Sequence, residues 1–218
     1  MNILEKSIRK VKVFFHVKKM RKRLRNRDFS IISQNCLGGV VYHMLGLPFA
    51  SPTINMFIED ESFVKLVSNL KYYMSIEPEP LADPYVDPID RTVKYPKIRI
   101  DDIEICCLHF KNCAEAIDTW NKRKDRINFE NILVIANSWN MHGNKTLIKQ
   151  ILNTGYRTIC FIFGDYSETN RIQLNDDFWE LDVRGIIRPN ITDYTPNSYK
   201  RYFENYIDIV DWINGDSI

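Results

Sequence analysis

Residues 29–45 read FSIISQNCLGGVVYHML, and the order of that stretch decides the class of fold. Phe29–Gln34 is a short run of strand character. Asn35–Gly39 (NCLGG) is a turn with two glycines, and Val40–Leu45 reads as a helix that Gly46 and Pro48 end. A strand that enters a helix through such a turn is the building unit of α/β sheets. There the turn presents backbone amides or a side chain above the sheet.

The same alternation extends in both directions. Ile54–Ile58 reads as a second strand, and Asp60–Met74 has helix periodicity through Phe63, Val64, Val67, Leu70 and Tyr73. Ile98–Ile100 and Ile103–Phe110 (IEICCLHF) read as strands of a hairpin about Asp101–Asp102. Asn112 is placed to cap a helix over Cys113–Arg126, whose core stripe is Ala116, Ile117 and Trp120. Ile132–Ala136 (ILVIA) is a continuous apolar run typical of a parallel strand, and Thr158–Phe163 (TICFIF) reads as another buried strand. Lys145–Leu152 reads as the helix between them, and Ser198–Ile213 as a terminal helix. The expected architecture is a three-layer α/β fold with a mostly parallel sheet, helices on both faces, and an N-terminal basic amphipathic helix. Residues 76–97 hold five prolines, Pro78, Pro80, Pro84, Pro88 and Pro96, and read as an excursion over the domain face. Two parts result: an arm over 1–27 and a single α/β domain over 28–218.

Composition supports a packed core, with 44% hydrophobic and 27% charged residues. The formal net charge of +2 conceals an asymmetry. Residues 1–27 hold eleven Lys or Arg and one acid, a net +10; the rest holds 19 basic and 27 acidic residues, a net −8. Five cysteines without a CxxC pair argue against a disulfide framework and for a reducing compartment. No apolar run approaches the roughly 18 residues of a membrane span. Basic residues continue through and past the apolar ones of the arm, unlike a secretory signal. A cytoplasmic protein, peripheral at the inner membrane face, is the expectation.

At 100° per residue, Ile3, Leu4, Ile8, Val11, Phe14 and Phe15 share one side of the arm, with Lys6, Arg9, Lys10 and Lys12 largely opposite. From Val13 the stripe shifts to Val13, Val17, Met20 and Leu24. Such a helix suits an anionic membrane surface, with Lys6, Arg9, Lys10, Lys12, Phe14 and Phe15 making contact. It equally suits packing on its own acidic body. Nucleic acid ranks last as a partner, because the arm lacks a groove-reading motif and the acidic body repels phosphate.

Ligands of such sheets bind beyond the C-terminal strand ends, which selects Asn35, Cys36, Ser51, Thr53, His109, Asn137, Ser138 and Asp165. A thiol at a helix N-terminus has a stabilised thiolate, so Cys36 with His109 as base forms a candidate nucleophilic pair. Asn35 and the Gly38 and Gly39 amides would then bind ligand or oxyanion. Cys36 is equally readable as a ligand-lining or a structural cysteine, and His109 as a near-core histidine. Arg123 and Arg126 could clamp a phosphate or be solvated, and His142 sits in a polar loop after a strand. There is no P-loop, GxGxxG, GxSxG or HExxH, and no zinc spacing of histidines; the sequence names no cofactor and no metal.

Taken together, SIISQNCLGGVVYHMLGLPFASPTINMF and YPKIRIDDIEICCLHFKNCAEAIDTWNKRKDRIN resemble the bacterial family catalogued as domain of unknown function 1919, whose members are often labelled exopolysaccharide or capsule biosynthesis proteins. The family's Asn–Cys–Trp–Gly–Gly turn corresponds to Asn35, Cys36, Gly38 and Gly39, and its Ser–Pro–Thr turn to Ser51, Pro52 and Thr53. Its strand-end His corresponds to His109, and its Trp–x–x–Arg–x–x–Arg–Ile–Asn run to Trp120, Arg123, Arg126, Ile127 and Asn128. Leu37 stands where the family usually has Trp, and Asn137–Asn140 where a more acidic strand end is usual. The resemblance covers roughly residues 20–215 and implies a three-layer α/β fold in a capsule or exopolysaccharide setting. The leading expectation is a sugar-modifying acyltransferase at the cytoplasmic membrane face, with a sugar or lipid-linked sugar as ligand. The alternative is a non-catalytic scaffold that docks polysaccharide enzymes there.

Overall fold

The structure, a computed structural model, describes residues 3–87, 90–137, 145–163, 171–174 and 191–216. In chain order these form α1 (Ile3–Arg23), β1 (Ser30–Ser33), α2 (Leu37–Leu45), β2 (Phe57–Ile58), α3 (Asp60–Ser68), α4 (Leu70–Ser75), β3 (Glu79–Pro80), β4 (Tyr85–Val86) and β5 (Lys94–Tyr95). There follow β6 (Lys97–Ile100), β7 (Ile103–Cys106), α5 (Cys113–Lys124), β8 (Ile132–Asn137), α6 (Lys145–Leu152), β9 (Arg157–Phe163), β10 (Arg171–Leu174), a 3-10 turn (Tyr202–Asn205) and α7 (Ile209–Asn214).

Successive residues of a strand point to opposite faces, and three layers follow from that alternation. The central sheet is parallel throughout, in the order β1-β8-β9-β10. Ile32, Val134, Ala136 and Cys160 turn toward a core shared with Phe63, Trp120 and Ile148. Their neighbours Ile31, Leu133, Ile135, Ile159 and Phe161 turn the other way, toward Met20, Val41, Leu45 and Trp212. Because both faces are covered, ILVIA is apolar at every position. The expected α/β class holds, with α1 at the N-terminus.

The sequence did not anticipate a second, antiparallel sheet in the order β2-β7-β6-β3. It abuts the first where Ile58 N donates to Gln34 O at 3.0 Å. Two of its strands, β2 and β3, are two residues long, too short for a periodic signal. The expected β6–β7 hairpin is present, with Asp101 at φ 54 in its turn. β10 was likewise not expected.

Other boundaries differ for local reasons. The strand expected over 103–110 ends at Cys106, where Cys107 N turns to Pro96 O and Phe110 N to Cys107 O, so His109 lies in a turn. The helix expected over 60–74 is two helices meeting at Asn69, whose φ of −139° and ψ of 50° are not helical. The terminal helix expected over 198–213 begins afresh at Asp208, whose carboxylate caps the Val210 and Asp211 amides. Of the strand expected over 54–58 only Phe57–Ile58 remains, because Asn55 adopts a turn conformation at φ 68.

Both apolar stripes of α1 are now placed. The second packs on the body: Met20 and Leu24 are buried and Val17 half-buried. Arg23 pairs with Asp208 at 2.8 Å and Asp211 at 2.5 Å, His16 pairs with Glu204, and Arg21 Nε donates to Met44 O at 2.8 Å. The first stripe stays in solvent, with Leu4, Ile8, Val11, Phe14 and Phe15 exposed. Arg9 turns from the expected membrane side to lie over the Tyr194 ring, 5.2 Å from its centroid. Lys6, Lys10 and Lys12 remain exposed. Among the described residues no helix is long and apolar enough to cross a membrane.

Candidate functional site

Asn35, Cys36 and the first turn of α2 are held rigidly by the end of β1. Asn35 Oδ1 accepts from Leu37 N at 3.0 Å, and Ser33 Oγ accepts from Gly38 N at 3.1 Å while donating to Asn35 O at 2.8 Å. Those two side chains satisfy amides that every helix N-terminus leaves without intrahelical partners. Cys36 occupies the cap position with φ −66 and ψ −9. It is partly buried, and its Sγ lies 3.2 Å from Nε2 of the exposed His109. The strand-end turn of β7 has brought the base expected from sequence to the expected thiol.

The ionisation of that thiol departs from the sequence expectation. A helix N-terminus offers a charge roughly 0.3–1 kcal/mol, whereas removing an ion from water costs several kcal/mol even after relaxation. Desolvation wins, and burial pushes the Cys36 thiol up to about 11. At neutral pH the sulfur therefore keeps its proton, 3.2 Å from His109 Nε2. The resting form of Cys36 is the thiol, not the thiolate. Burial drives Cys106, Cys107 and Cys160 higher, to about 12. Cys113 Sγ donates to Lys97 O at 3.2 Å.

The glycines do a different job from the one expected. A Cβ at Gly38 would lie 2.6 Å from Ser33 Cβ, and one at Gly39 would lie 2.7 Å from Asn55 Oδ1. Their missing side chains let α2 press against β1 and the 51–55 turn; that space is filled by protein. Ser51 and Thr53 are fully buried pins of the same turn. Thr53 Oγ1 accepts from Ser33 N at 3.0 Å and lies 3.0 Å from Ser51 Oγ. Arg123 is half-buried, with its guanidinium 5.0 Å over the Phe49 ring and Nη1 donating to Ile54 O at 2.8 Å. Arg126 Nη1 reaches Phe49 O at 3.4 Å. Both arginines brace the loop that backs the glycines. Ser138, His142 and Asp165 lie outside the described residues, as does the side chain of Asn137, whose backbone ends β8. No group of three metal-ligating side chains occurs among the described residues.

A wall of aromatic rings, one of which, Tyr95, lies near Cys36, has no counterpart among the residues expected at the site. Phe57 and Tyr85 have ring centroids 5.9 Å apart, and Tyr85 stacks on Tyr95 at 6.4 Å. The proline-rich excursion delivers the two tyrosines on the paired strands β4 and β5. Burial raises the Tyr95 hydroxyl, with a hydrogen bond to Asp87 and the nearby Cys36 adding to it. The signal was present as Pro84–Tyr85 and Tyr95–Pro96 at the two ends of the excursion.

What the arrangement can do is bounded by these contacts: a neutral thiol with an adjacent exposed base, on a rigid turn, beside a face of aromatic rings. Similarity to known proteins runs over nearly the whole chain. A sequence model for a family described as "Domain of unknown function (DUF1919)" matches residues 7–214. The chain is also similar to an "Uncharacterized protein" of Haemophilus influenzae, 26% identical over 132 residues, 61% of this chain and 60% of that protein's length.

Proposed function

The chain belongs to the DUF1919 family, and from that premise we propose that it is a thiol-dependent acyltransferase modifying sugars of cell-surface polysaccharide intermediates. The observation that carries this reading is the Cys36 Sγ to His109 Nε2 contact at 3.2 Å. As sulfur attacks the carbonyl carbon of an activated acyl donor, its proton passes to His109 Nε2. A thioester forms on Cys36, and the donor's leaving group departs with that proton. A sugar hydroxyl then gives its proton to His109 and attacks the thioester, which returns the thiol.

The acceptor class rests on the resemblance drawn from sequence and on the Phe57–Tyr85–Tyr95 wall, since the C–H face of a sugar ring stacks on aromatic rings. Location is proposed as cytoplasmic and peripheral at the inner membrane face. Incubation with p-nitrophenyl acetate followed by peptide mass spectrometry should find one acetyl group on Cys36. It should be absent in Cys36→Ser and formed more slowly in His109→Ala. Acetylation that ignores His109, or a Cys36→Ser protein that restores normal polysaccharide in a deletion strain, would sink the reading.

A non-catalytic docking role at the membrane is the second reading. It is favoured by the engagement of the Leu37 and Gly38 amides, which are occupied by Asn35 and Ser33 instead of facing a ligand. Full complementation by Cys36→Ser together with loss of function in Phe14→Ser with Phe15→Ser, which spares the packed side of α1, would select it.

A further inference from the structure

Helix α1 has two apolar faces, and only one is used by the fold. Met20 and Leu24 are 4% and 5% exposed, and the Arg23 ion pairs with Asp208 and Asp211 lock that side to α7. On the far side Leu4, Ile8, Val11, Phe14 and Phe15 are 47–69% exposed. Among the described residues they are five of the seven exposed large hydrophobics, the others being the separate Tyr72 and Val86. Scattered exposure is ordinary, but a contiguous stripe marks an interaction surface.

The charge around the stripe identifies what it meets. At 100° per residue, Leu4, Ile8, Val11 and Phe15 fall within an arc of about 60°. Lys18 and Lys22 continue that line, flanked by Lys12 and Lys19, all exposed. Glu5, the one acidic residue of the helix, sits at the edge of this face, where with Ile8 and Lys12 it lines a groove of about 190 Å³ against Asn197, Ser198 and Tyr199. The outward face is thus built of apolar side chains and cations, with the neutral Ser7 among them and the one acid at its edge. Long lysines extend their charge from a buried stem to water or head groups, so this face fits an interface with hydrocarbon below and negative charge around it.

We propose that the outward face of α1 is a docking surface for an anionic phospholipid bilayer, on which the helix lies flat while its other face stays packed on the body. The arm is then a fixed foot and not a tether: binding needs no detachment from α2 and α7, and it sets the orientation of the body. This deepens the peripheral location proposed above and is independent of Cys36.

The test uses the full chain and sedimentation with vesicles of phosphatidylcholine alone, or with roughly a quarter phosphatidylglycerol. Binding is expected on the anionic vesicles. A Lys18→Gln, Lys19→Gln, Lys22→Gln variant should lose about 100-fold in partitioning, and Phe14→Ser with Phe15→Ser at least about tenfold. Phe15→Trp should shift its emission to the blue on anionic vesicles only. Cys36→Ser should bind like the parent, so failure of the transferase reading leaves this result standing, and the reverse. Equal binding to neutral vesicles, or an unmoved Phe15→Trp spectrum, would overturn the proposal. So would a lipid-free dimer that Phe14→Ser with Phe15→Ser dissociates, which would give the face to a second copy of the chain.

Discussion

Cys36 Sγ and His109 Nε2 lie 3.2 Å apart across a separation of 73 positions in the chain. Two independent turns meet to make this contact, one leaving the central parallel sheet and one leaving the antiparallel sheet. Their abutment at Gln34 and Ile58 keeps the distance fixed. Because burial pushes the thiol up to about 11, only a small minority of Cys36 is ionised at pH 8. Alkylation by iodoacetamide should be slow near pH 7 and climb through pH 10–11, and His109→Ala should slow it further at pH 7–8. Transfer activity in His109→Ala should fall by about 10²–10⁴-fold. A rate already at its maximum near pH 7 would refute the protonated resting thiol.

Gly38 and Gly39 should be intolerant of any side chain for reasons of packing. Gly38→Ala places a methyl group 2.6 Å from Ser33 Cβ, an atom fixed to the backbone that cannot swing away. A loss of about 1–3 kcal/mol in urea unfolding is expected. Gly39→Ala, which meets Asn55 Oδ1 at 2.7 Å, should cost less, since a side-chain oxygen can rotate aside.

Arg123→Ala should destabilise the protein by about 1–3 kcal/mol, through the unpaired Ile54 carbonyl and the lost stacking on Phe49. Arg123→Lys should recover only part of this, because an ammonium lacks the planar face. A variant that unfolds like the parent while losing affinity for an anionic ligand would assign Arg123 to binding instead.

Asp208 governs the junction of arm and body. Burial pushes its carboxyl up, but Arg23 and the Val210 and Asp211 amides outweigh that and hold it below its ordinary value. A depressed carboxyl stabilises the fold above its unfolded value of about 3.9 and ceases to as pH falls through the folded one. Asp208→Asn should therefore be less stable than the parent at pH 7 and pH 5, with the gap closing below about pH 4. Asp208→Ala also removes the cap of α7, at about 1 kcal/mol in thermal unfolding.

The layered fold was legible because ILVIA and the ICFIF run after Thr158 admit no polar residue, which happens when both faces of a strand are covered. The Asn112 cap was legible because capping is local, and Asn112 Oδ1 accepts from Glu115 N at 2.9 Å. The site was half legible. Cys36 and His109 followed from the rule about strand ends, but the task of Gly38 depends on Ser33 and Ile54 lying against it. Turn spacing does not encode that contact. The dipole acting on Cys36 could be read from its position before a helix; the stronger desolvation depends on neighbours supplied by distant segments. Tyr85 and Tyr95 were overlooked because a proline-rich stretch has no period to expose its paired strands.

Among the described residues β1 is an edge strand of the central sheet, yet its outward amides are not available to a newcomer. Ile31 N donates to the Tyr42 hydroxyl and Ser33 N to Thr53 Oγ1, each at 3.0 Å. These side chains act as stoppers against strand addition, the route by which sheets template aggregation. They belong to α2 and the 51–55 turn, the same elements that seat Cys36. A substitution that loosens this turn would thus uncover a sticky edge and misplace the thiol together. In a random loss-of-function screen, precipitating variants and chemically dead ones would cluster at the same positions, and only a solubility measurement made alongside would separate them.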